Sequence, residues 1–190
     1  WFLLGDIASL VADTAVFIPQ RAKPSGVTSG HMRASGGEQG PVENEDFVSA
    51  QLRMASGARC VLEASRVAVG DQNSYGFEIH GTKGSVSWDF RRMGELQLGM
   101  RTAGEDQPLY QDQPQSTLFV GPGAGEYGVF QPGSASAMGY DDLKVVEAAR
   151  FLRSIAENAS VGATVRDAVR SASVLDAMTD SVASGRWVEL

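Results

Sequence analysis

Alternation of apolar and polar residues through the middle of the chain is the feature that most constrains its fold. Between residues 46 and 101, short runs such as 48–54 (VSAQLRM) and 77–80 (FEIH) place an apolar side chain at every second position. A period of two is typical of antiparallel strands with one buried and one wetter face. Ser56-Gly57 and the segment 81–84 (GTKG) supply turns. The sequence therefore predicts a meander of antiparallel strands over residues 46–101.

Helical spacing replaces this alternation at the start of the chain. Ile7, Leu10 and Val11 are separated by three and one residues, which matches one face of a helix, and Pro19 ends the run. Asp6 stands where an N-cap carboxylate accepts backbone N–H groups. The spacing predicts a helix from Asp6 to Phe17.

Two further helices are predicted near the end of the chain. Asp141 or Asp142 caps the first, and its apolar positions are expected to be buried: Leu143, Val146, Leu152 and Ile155. The second opens at Thr164 with a near capping box completed by Asp167, and it ends at Gly185. Its apolar stripe is formed by Val165, Ala168, Val169, Ala172, Leu175 and Met178. The segment 187–190 (WVEL) is expected to return as an edge strand.

These elements predict an α+β fold. We expect a large open, predominantly antiparallel β-sheet with helices packed on one face. The length of 190 residues lies within the range of one domain, so we expect a single domain over residues 1–190.

Composition excludes several classes of protein. A lone cysteine, Cys60, excludes an internal disulfide framework and a multi-thiolate zinc site, and we expect it to be a buried thiol. The two imidazoles, His31 and His80, lack matched acidic spacing, so no metal site is predicted, and His80 is expected at a surface or interface. The net charge of -7 argues against nucleic acid and anionic membranes, and no apolar run approaches the ~20 residues of a membrane span. We expect a cytoplasmic protein.

One glycine motif imitates a nucleotide site. Residues 123–128 (GAGEYG) match G-x-G-x-x-G, and the strand-like segment 118–120 precedes them. The dinucleotide fingerprint also requires a helix that begins at the motif. The following residues, 129–133 (VFQPG), argue against that helix. We therefore interpret 102–139 as irregular loop and predict no cofactor-binding residues in this chain.

Four segments together resemble the Gfo/Idh/MocA oxidoreductases. Residues 5–13 (GDIASLVAD) are similar to that family's G-D-[IL]-G-[ST]-H-x-x-D segment. Residues 77–85 (FEIHGTKGS) resemble its strand–turn–strand, residues 139–142 (GYDD) the opening of its late helix, and residues 183–188 (ASGRWV) its ending. The resemblance spans nearly all of the chain and identifies the family's C-terminal, substrate-binding and oligomerisation domain.

The resemblance implies a two-domain enzyme. An N-terminal Rossmann domain, which we expect to be missing from this chain, binds NAD or NADP, and a catalytic Lys would lie upstream of Trp1. The implied reaction is hydride transfer between the nicotinamide and a carbon of a sugar, polyol or related carbohydrate. The isolated chain is then expected to be inactive. The sheet is expected to form a homodimer or homotetramer, without nucleic-acid or membrane partners.

Three residues are carried over from the resemblance as site candidates. Asp6 is the catalytic candidate, and Asp13, one helical turn further on, is a substrate-binding candidate together with Tyr140. Leu10 occupies the usual position of a catalytic His and cannot transfer a proton. A purely structural role remains an alternative for each residue: an N-cap for Asp6, a solvated position for Asp13, core packing for Leu10 and a helix staple for Tyr140. The departure at Leu10 favours an alternative function, a non-catalytic sugar-binding or scaffolding protein on the same fold.

Overall fold

The computed structural model describes residues 2–23, 37–101, 113–121, 123–131, 133, 135–136 and 138–190. In chain order the elements are β1 (Ile7–Ala15), β2 (Gln20–Ala22), β3 (Gln39–Pro41), β4 (Phe47–Met54), β5 (Arg59–Ser65), β6 (Gly76–Gly81), β7 (Gly84–Asp89), β8 (Glu95–Met100), β9 (Gln115–Phe119), α1 (Tyr127–Phe130), α2 (Tyr140–Glu157), α3 (Val165–Ser184) and β10 (Val188–Glu189). A 3-10 turn spans Phe90–Arg92. The chain divides into two compact units, one of residues up to Val69 with Ala163–Leu190, the other Gly70–Gly162.

The first unit is a four-stranded antiparallel sheet covered by one helix. Its strand order is β10-β1-β4-β5, and β2 pairs with β3 in a separate two-stranded ribbon. Helix α3 packs along β1. The buried core joins the two layers and consists of Leu10, Ala50, Leu52, Met54, Val174, Ala177 and Met178. Burial of this apolar surface is the main stabilising contribution to the unit.

The predicted helix from Asp6 to Phe17 is wrong, because residues 7–15 form the central strand β1. β1 pairs with β4 on one side and β10 on the other. The register shifts between Ile7 and Ser9. Such a bulge interrupts the alternation of apolar and polar residues by which a strand is predicted. Without that alternation, the spacing of Ile7, Leu10 and Val11 imitated a helix.

Helix α3 begins and ends where the sequence predicts. Thr164 Oγ1 accepts a hydrogen bond from the Asp167 N–H at 3.3 Å, and Asp167 Oδ2 accepts one from the Thr164 N–H at 2.9 Å. Asp167 Oδ2 also accepts the Thr164 hydroxyl at 2.7 Å, and this bond, followed by the one from the Thr164 N–H, leads the causes that lower the pKa of Asp167. Gly185 ends the helix at φ 65°, a conformation that favours glycine. The N-terminal capping box and the C-terminal glycine are confirmed.

The buried face of α3 differs from the predicted stripe. Val165, Val169 and Leu175 are exposed, and the buried positions are Val174, Ala177, Met178 and Ser181. Ala177 and Ser181 are small, so the helix backbone approaches β1 closely enough for Ser181 Oγ to accept the Ala12 N–H at 3.0 Å. Close approach of the helix to the sheet therefore selects this face, although larger apolar residues lie elsewhere on the helix.

The second unit contains a four-stranded antiparallel sheet in the order β6-β7-β8-β9 and the helices α1 and α2. Residues 102–139 are not wholly irregular as predicted, because they contain β9 and the single helical turn α1. Leu152 and Ile155 of α2 are each 64% exposed, so their predicted burial is also wrong. A helical stripe predicts an apolar face but does not specify what covers that face.

The α+β class and the antiparallel strands within residues 46–101 are confirmed, but these strands belong to two separate four-stranded sheets rather than to one continuous meander in one large sheet. β4 to β8 fall within residues 46–101 and pair antiparallel, with β4 and β5 in the first sheet and β6 to β8 in the second. The turn after β4 contains Gly57 at φ 91°, which requires glycine-like freedom. The segment 187–190 returns as β10 beside β1, as predicted.

Candidate functional site

Asp6 lies in the first unit immediately before β1. Its side chain is 64% exposed, and Oδ1 lies 3.6 Å from Nη2 of Arg170 on α3. No helix begins at Asp6, so the N-cap interpretation is wrong. Its carbonyl oxygen accepts the Ala55 N–H at 2.8 Å, which fixes the backbone beside the turn after β4. The carboxylate is therefore accessible and has a guanidinium beside it.

Asp13 is exposed near the far end of β1, opposite Ser49 of β4. Its Oδ1 accepts the N–H of the adjacent Thr14 at 3.0 Å. Seven residues of extended chain separate Asp13 from Asp6, or about 20 Å at the usual rise per residue. The expectation that one helical turn brings Asp6 and Asp13 together is wrong, because the segment between them is a strand.

Leu10 is fully buried at the centre of the core. It lies opposite Leu52 of β4 and Val188 of β10, within the buried cluster that includes Met178 of α3. The core-packing interpretation of Leu10 is confirmed. A side chain with no exposed surface cannot contact a substrate, so Leu10 does not mark a catalytic position from which a proton-transfer group has been lost.

Tyr140 is the first residue of α2 in the second unit. Its side chain is 61% exposed, and Lys144 Nζ lies 5.4 Å from the ring centroid. The Gly139 N–H donates to Asp142 Oδ2 at 2.7 Å, so Asp142 is the capping acid of the two that the sequence offered. Lys144 also bonds Glu147 at 2.9 Å, which raises the pKa of Lys144. Tyr140 therefore presents an exposed aromatic ring and hydroxyl at a helix start.

A buried carboxylate that sequence reasoning missed organises one edge of the first unit. The Asp46 side chain has no exposed surface, and its Oδ2 accepts the N–H groups of Phe17 and Ile18 at 2.9 and 2.8 Å. Its Oδ1 binds the guanidinium of Arg21. The Ile18 hydrogen bond leads the causes that lower the pKa of Asp46, against an opposing effect of burial. Every bond holds the chain leaving β1, so this is a structural site.

The glycine motif at 123–128 does not fit a dinucleotide. α1 begins inside it at Tyr127 and is four residues long, whereas the pyrophosphate needs the N-terminus of a longer helix. Glu126, in the motif, binds Arg153 of α2 and lies 3.3 Å from Nε of Arg150. The Arg153 bond leads the causes that lower the pKa of Glu126. The acid of this motif anchors a loop to α2.

The remaining sequence candidates fall in different places. Cys60 of β5 is half-buried and packs against the core. His80 of β6 is exposed, with Nε2 3.0 Å from Glu78 Oε1. His31 lies outside the described residues. Within the described parts of the chain, no group of three or more His, Cys, Asp or Glu side chains is placed to hold a metal ion. None of the described helices has both the length and the apolar character needed to cross a bilayer.

Comparison with known proteins identifies the class. Residues 1–190 match the family described as "Oxidoreductase family, C-terminal alpha/beta domain". The chain belongs to this Gfo/Idh/MocA oxidoreductase family, as its C-terminal domain.

Individual relatives agree with that assignment. Levoglucosan dehydrogenase of Pseudarthrobacter phenanthrenivorans is 34% identical over 192 residues, covering 100% of this chain and 48% of the relative. A structure of levoglucosan dehydrogenase with NADH and levoglucosan has a TM-score of 0.83 at 31% identity, covering 100% of this chain and 46% of that one. An NAD binding oxidoreductase from Klebsiella pneumoniae has a TM-score of 0.82 at 29% identity, covering 99% and 46%. The chain thus spans about half the length of these relatives.

Proposed function

We propose that this chain is the substrate-side domain of an NAD- or NADP-dependent oxidoreductase that acts on a CH–OH group of a sugar, polyol or related carbohydrate. The observation that carries the proposal is the whole-chain likeness to levoglucosan dehydrogenase, whose structures contain NADH with levoglucosan or L-sorbose. The likeness covers sequence and fold together, since 32% identity accompanies a TM-score of 0.83 in the L-sorbose complex.

The cofactor would be held mainly by a Rossmann domain outside these 190 residues, because the glycine motif at residues 123–128 does not fit a dinucleotide. When bound, the nicotinamide supplies the hydride acceptor or donor. The proton-transfer group would be a Lys of that same domain. The residues of this chain would bind the carbohydrate hydroxyls, fix the orientation of the reacting carbon and exclude water.

Asp6 remains the catalytic candidate among the residues of this chain. Its exposed carboxylate can accept hydrogen bonds from substrate hydroxyls, and Arg170 Nη2, 3.6 Å from Oδ1, can help to orient it. Tyr140 can contribute an exposed ring and hydroxyl to substrate binding. Asp13 lies about 20 Å along β1 from Asp6, farther than one monosaccharide extends, so its substrate contact would be separate from that of Asp6.

The test uses the whole protein as its native cell makes it. NAD and NADP are each supplied with levoglucosan and with L-sorbose, and formation of the reduced nicotinamide is followed by absorbance. Asp6→Asn is expected to lower kcat/KM by roughly 10²-fold or more, the range of a group acting on a reacting proton. Asp180→Asn removes one carboxylate from the exposed side of α3 and should leave kcat/KM unchanged. Equal turnover by the Asp6 variant and wild type would exclude Asp6 from the site.

The non-catalytic alternative has lost the observation that favoured it. It depended on Leu10 replacing a catalytic His, and Leu10 is a fully buried core residue of a strand. Sugar binding without any reduction of NAD or NADP by the whole protein would restore this alternative.

We also propose a cytoplasmic homodimer or homotetramer that associates through the sheet. The support is the alternation of the strands, which leaves one face of the β6–β9 sheet lined by polar side chains such as Glu78, Gln97 and Thr117. Light scattering of the whole protein tests the assembly, and a single monomeric species would contradict it. Cell fractionation tests the location.

A further inference from the structure

Helix α3 has apolar residues on two opposite sides, of which only one packs on the sheet. The buried side belongs to the core of the first unit. The other side turns away from β1 and consists of exposed residues at helical spacing, which we call the outward stripe of α3: Val165, Ala168, Val169, Ala172 and Leu175. Val165 is 82% exposed, Val169 59% and Leu175 64%.

The outward stripe is unusual for a helix that faces water. Such a helix needs apolar residues only on the side that faces the core, and its other side is ordinarily polar. The stripe instead continues for about three helical turns, and contiguous exposed apolar surface marks contact with another molecule. Within the described residues nothing covers Val165, Val169 or Leu175. A partner for the stripe is therefore expected outside the described residues.

The start of the chain lies beside the stripe. Asp6 Oδ1, one residue before β1, is 3.6 Å from Nη2 of Arg170, and Arg170 directly follows Val169 in the sequence. Ahead of Asp6, Phe2 is 99% exposed and Leu3 51% exposed. A segment joined ahead of these residues would therefore enter close to the first half of α3.

The outward stripe is confined to this same half of the helix. On the side turned away from β1, Leu175 is followed by Asp176 and Thr179, which are both exposed. The second half of α3 lies further along β1, where Ser181 Oγ accepts the Ala12 N–H. The apolar character of the outward side thus decreases as the distance from the start of the chain increases.

We propose that the outward stripe of α3 is the surface on which the cofactor domain docks. This inference rests on the proposed function, which places that domain ahead of Trp1. The chain covers 48% of one relative and 46% of another, so the remaining part of either is long enough to form a domain with an apolar surface of its own. A domain tethered beside the stripe has a high effective concentration there, which a second copy of the chain lacks. Docking here would fix the cofactor domain relative to Asp6.

Thiol accessibility in the whole protein tests the coverage of the stripe without turnover. Leu175→Cys places a thiol in the stripe, and Ser173→Cys, the matched control, places one on another exposed side of the same helix. We expect a maleimide to modify the Leu175 variant at least about tenfold more slowly, because the docked domain must open before the reagent reaches the thiol. Val169→Cys repeats the test one and a half turns earlier, and the wild type supplies the background from Cys60. Equal rates in stripe and control variants would overturn the proposal.

Photo-crosslinking of the whole protein identifies what covers the stripe. A benzophenone maleimide attached to Ser173→Cys lies at the edge of the stripe and reacts with neighbouring C–H groups on irradiation. We expect a product that runs as one chain in denaturing electrophoresis and joins the α3 peptide to a peptide that precedes Trp1. A product with the mass of two chains would assign the stripe to a second copy and overturn the proposal. Crosslinks confined to residues 1–190 would overturn it as well.

The outcome of these experiments is separable from that of the proposed function. Nicotinamide reduction measures the activity, whereas thiol protection and crosslinking measure the docking. Crosslinks to a segment ahead of Trp1 without reduction of NAD or NADP would support the docking and refute the function. Reduction of either nicotinamide by a protein whose stripe is freely accessible would refute the docking alone.

Discussion

Replacing Leu10 tests whether β1 is a core strand or carries a vacated catalytic position. The side chain is fully buried among apolar groups from β4 and α3. Leu10→Ala removes its transfer free energy and leaves a cavity, so we expect a loss of about 3 kcal/mol in the free energy of unfolding. That is a large part of the ~5–15 kcal/mol that stabilises a typical domain. Leu10→His should cost still more, because a buried imidazole here would lack a hydrogen-bond partner.

Hydrogen exchange at the β1 amides is the assay, since the chain divides into two units and these amides report opening of the first. Val61→Ala is the control, because Val61 of β5 is 77% exposed, and we expect it to change the free energy by less than about 0.5 kcal/mol. A loss below about 1 kcal/mol in Leu10→Ala would refute core burial. A gain in sugar oxidation by the whole protein carrying Leu10→His would refute it independently.

Three further perturbations follow from specific contacts. Ser181→Ala leaves the Ala12 N–H and the Arg186 carbonyl without a partner, so urea unfolding should show that the free energy of unfolding falls by about 1–3 kcal/mol. The control is Ser173→Ala, which breaks an exposed bond within the same helix and should lower that free energy far less. Equal losses in the two variants would contradict this account. The pKa of Asp46 is lower in the folded chain than in the unfolded chain. The ionised Asp46 carboxylate therefore contributes fully to stability at pH values above its unfolded-state pKa of about 3.9, and this contribution is lost as the pH falls through its lower folded-state pKa. Asp46→Asn should therefore be less stable than wild type at neutral pH, with the difference shrinking in acid; a pH-independent difference would rule out the carboxylate as its source. Thr164→Ala removes the α3 cap hydroxyl, and thermal unfolding should show a loss of about 1 kcal/mol; an unchanged midpoint would exclude a role for the cap.

Local patterns predicted those parts of the fold that depend on local chemistry. The turn at Gly57 and the α3 boundaries at Thr164 and Gly185 follow from the conformations that those residues favour. The alternation predicts the buried face of β4 correctly, because Ala50, Leu52 and Met54 belong to the core cluster whereas Gln51 and Arg53 are exposed. These features need only a few neighbouring residues to be recognised.

The sequence-based predictions were wrong where residues far apart in the chain determine the local structure. β1 is a strand because β4 and β10 pair with it, and β10 lies near the other end of the chain. Its β-branched residues Ile7, Val11 and Thr14 favour a strand, but the bulge after Ile7 hid the alternation. The correct face of α3 required knowing that Ser181 bonds Ala12 across the helix–sheet interface.

The sequence predicted the protein family correctly but not the positions of the candidate site residues. The resemblance of segments 5–13, 77–85 and 183–188 led to the correct family, which the whole-chain match confirms. It placed Asp6 and Asp13 on one helix, whereas a strand separates them. The row formed by His80, Ser85, Gly99 and Gln115 across the β6–β9 sheet could not be predicted, because it exists only in the paired register of four strands.

The most direct measurement is nicotinamide reduction by the whole protein, as its native cell makes it, with levoglucosan and other sugars as substrates. We predict formation of NADH or NADPH with at least one carbohydrate, and none by the 190-residue chain alone. Specific binding of a carbohydrate by the whole protein, with no reduction of either nicotinamide, would contradict the proposal that this chain is half of a sugar oxidoreductase.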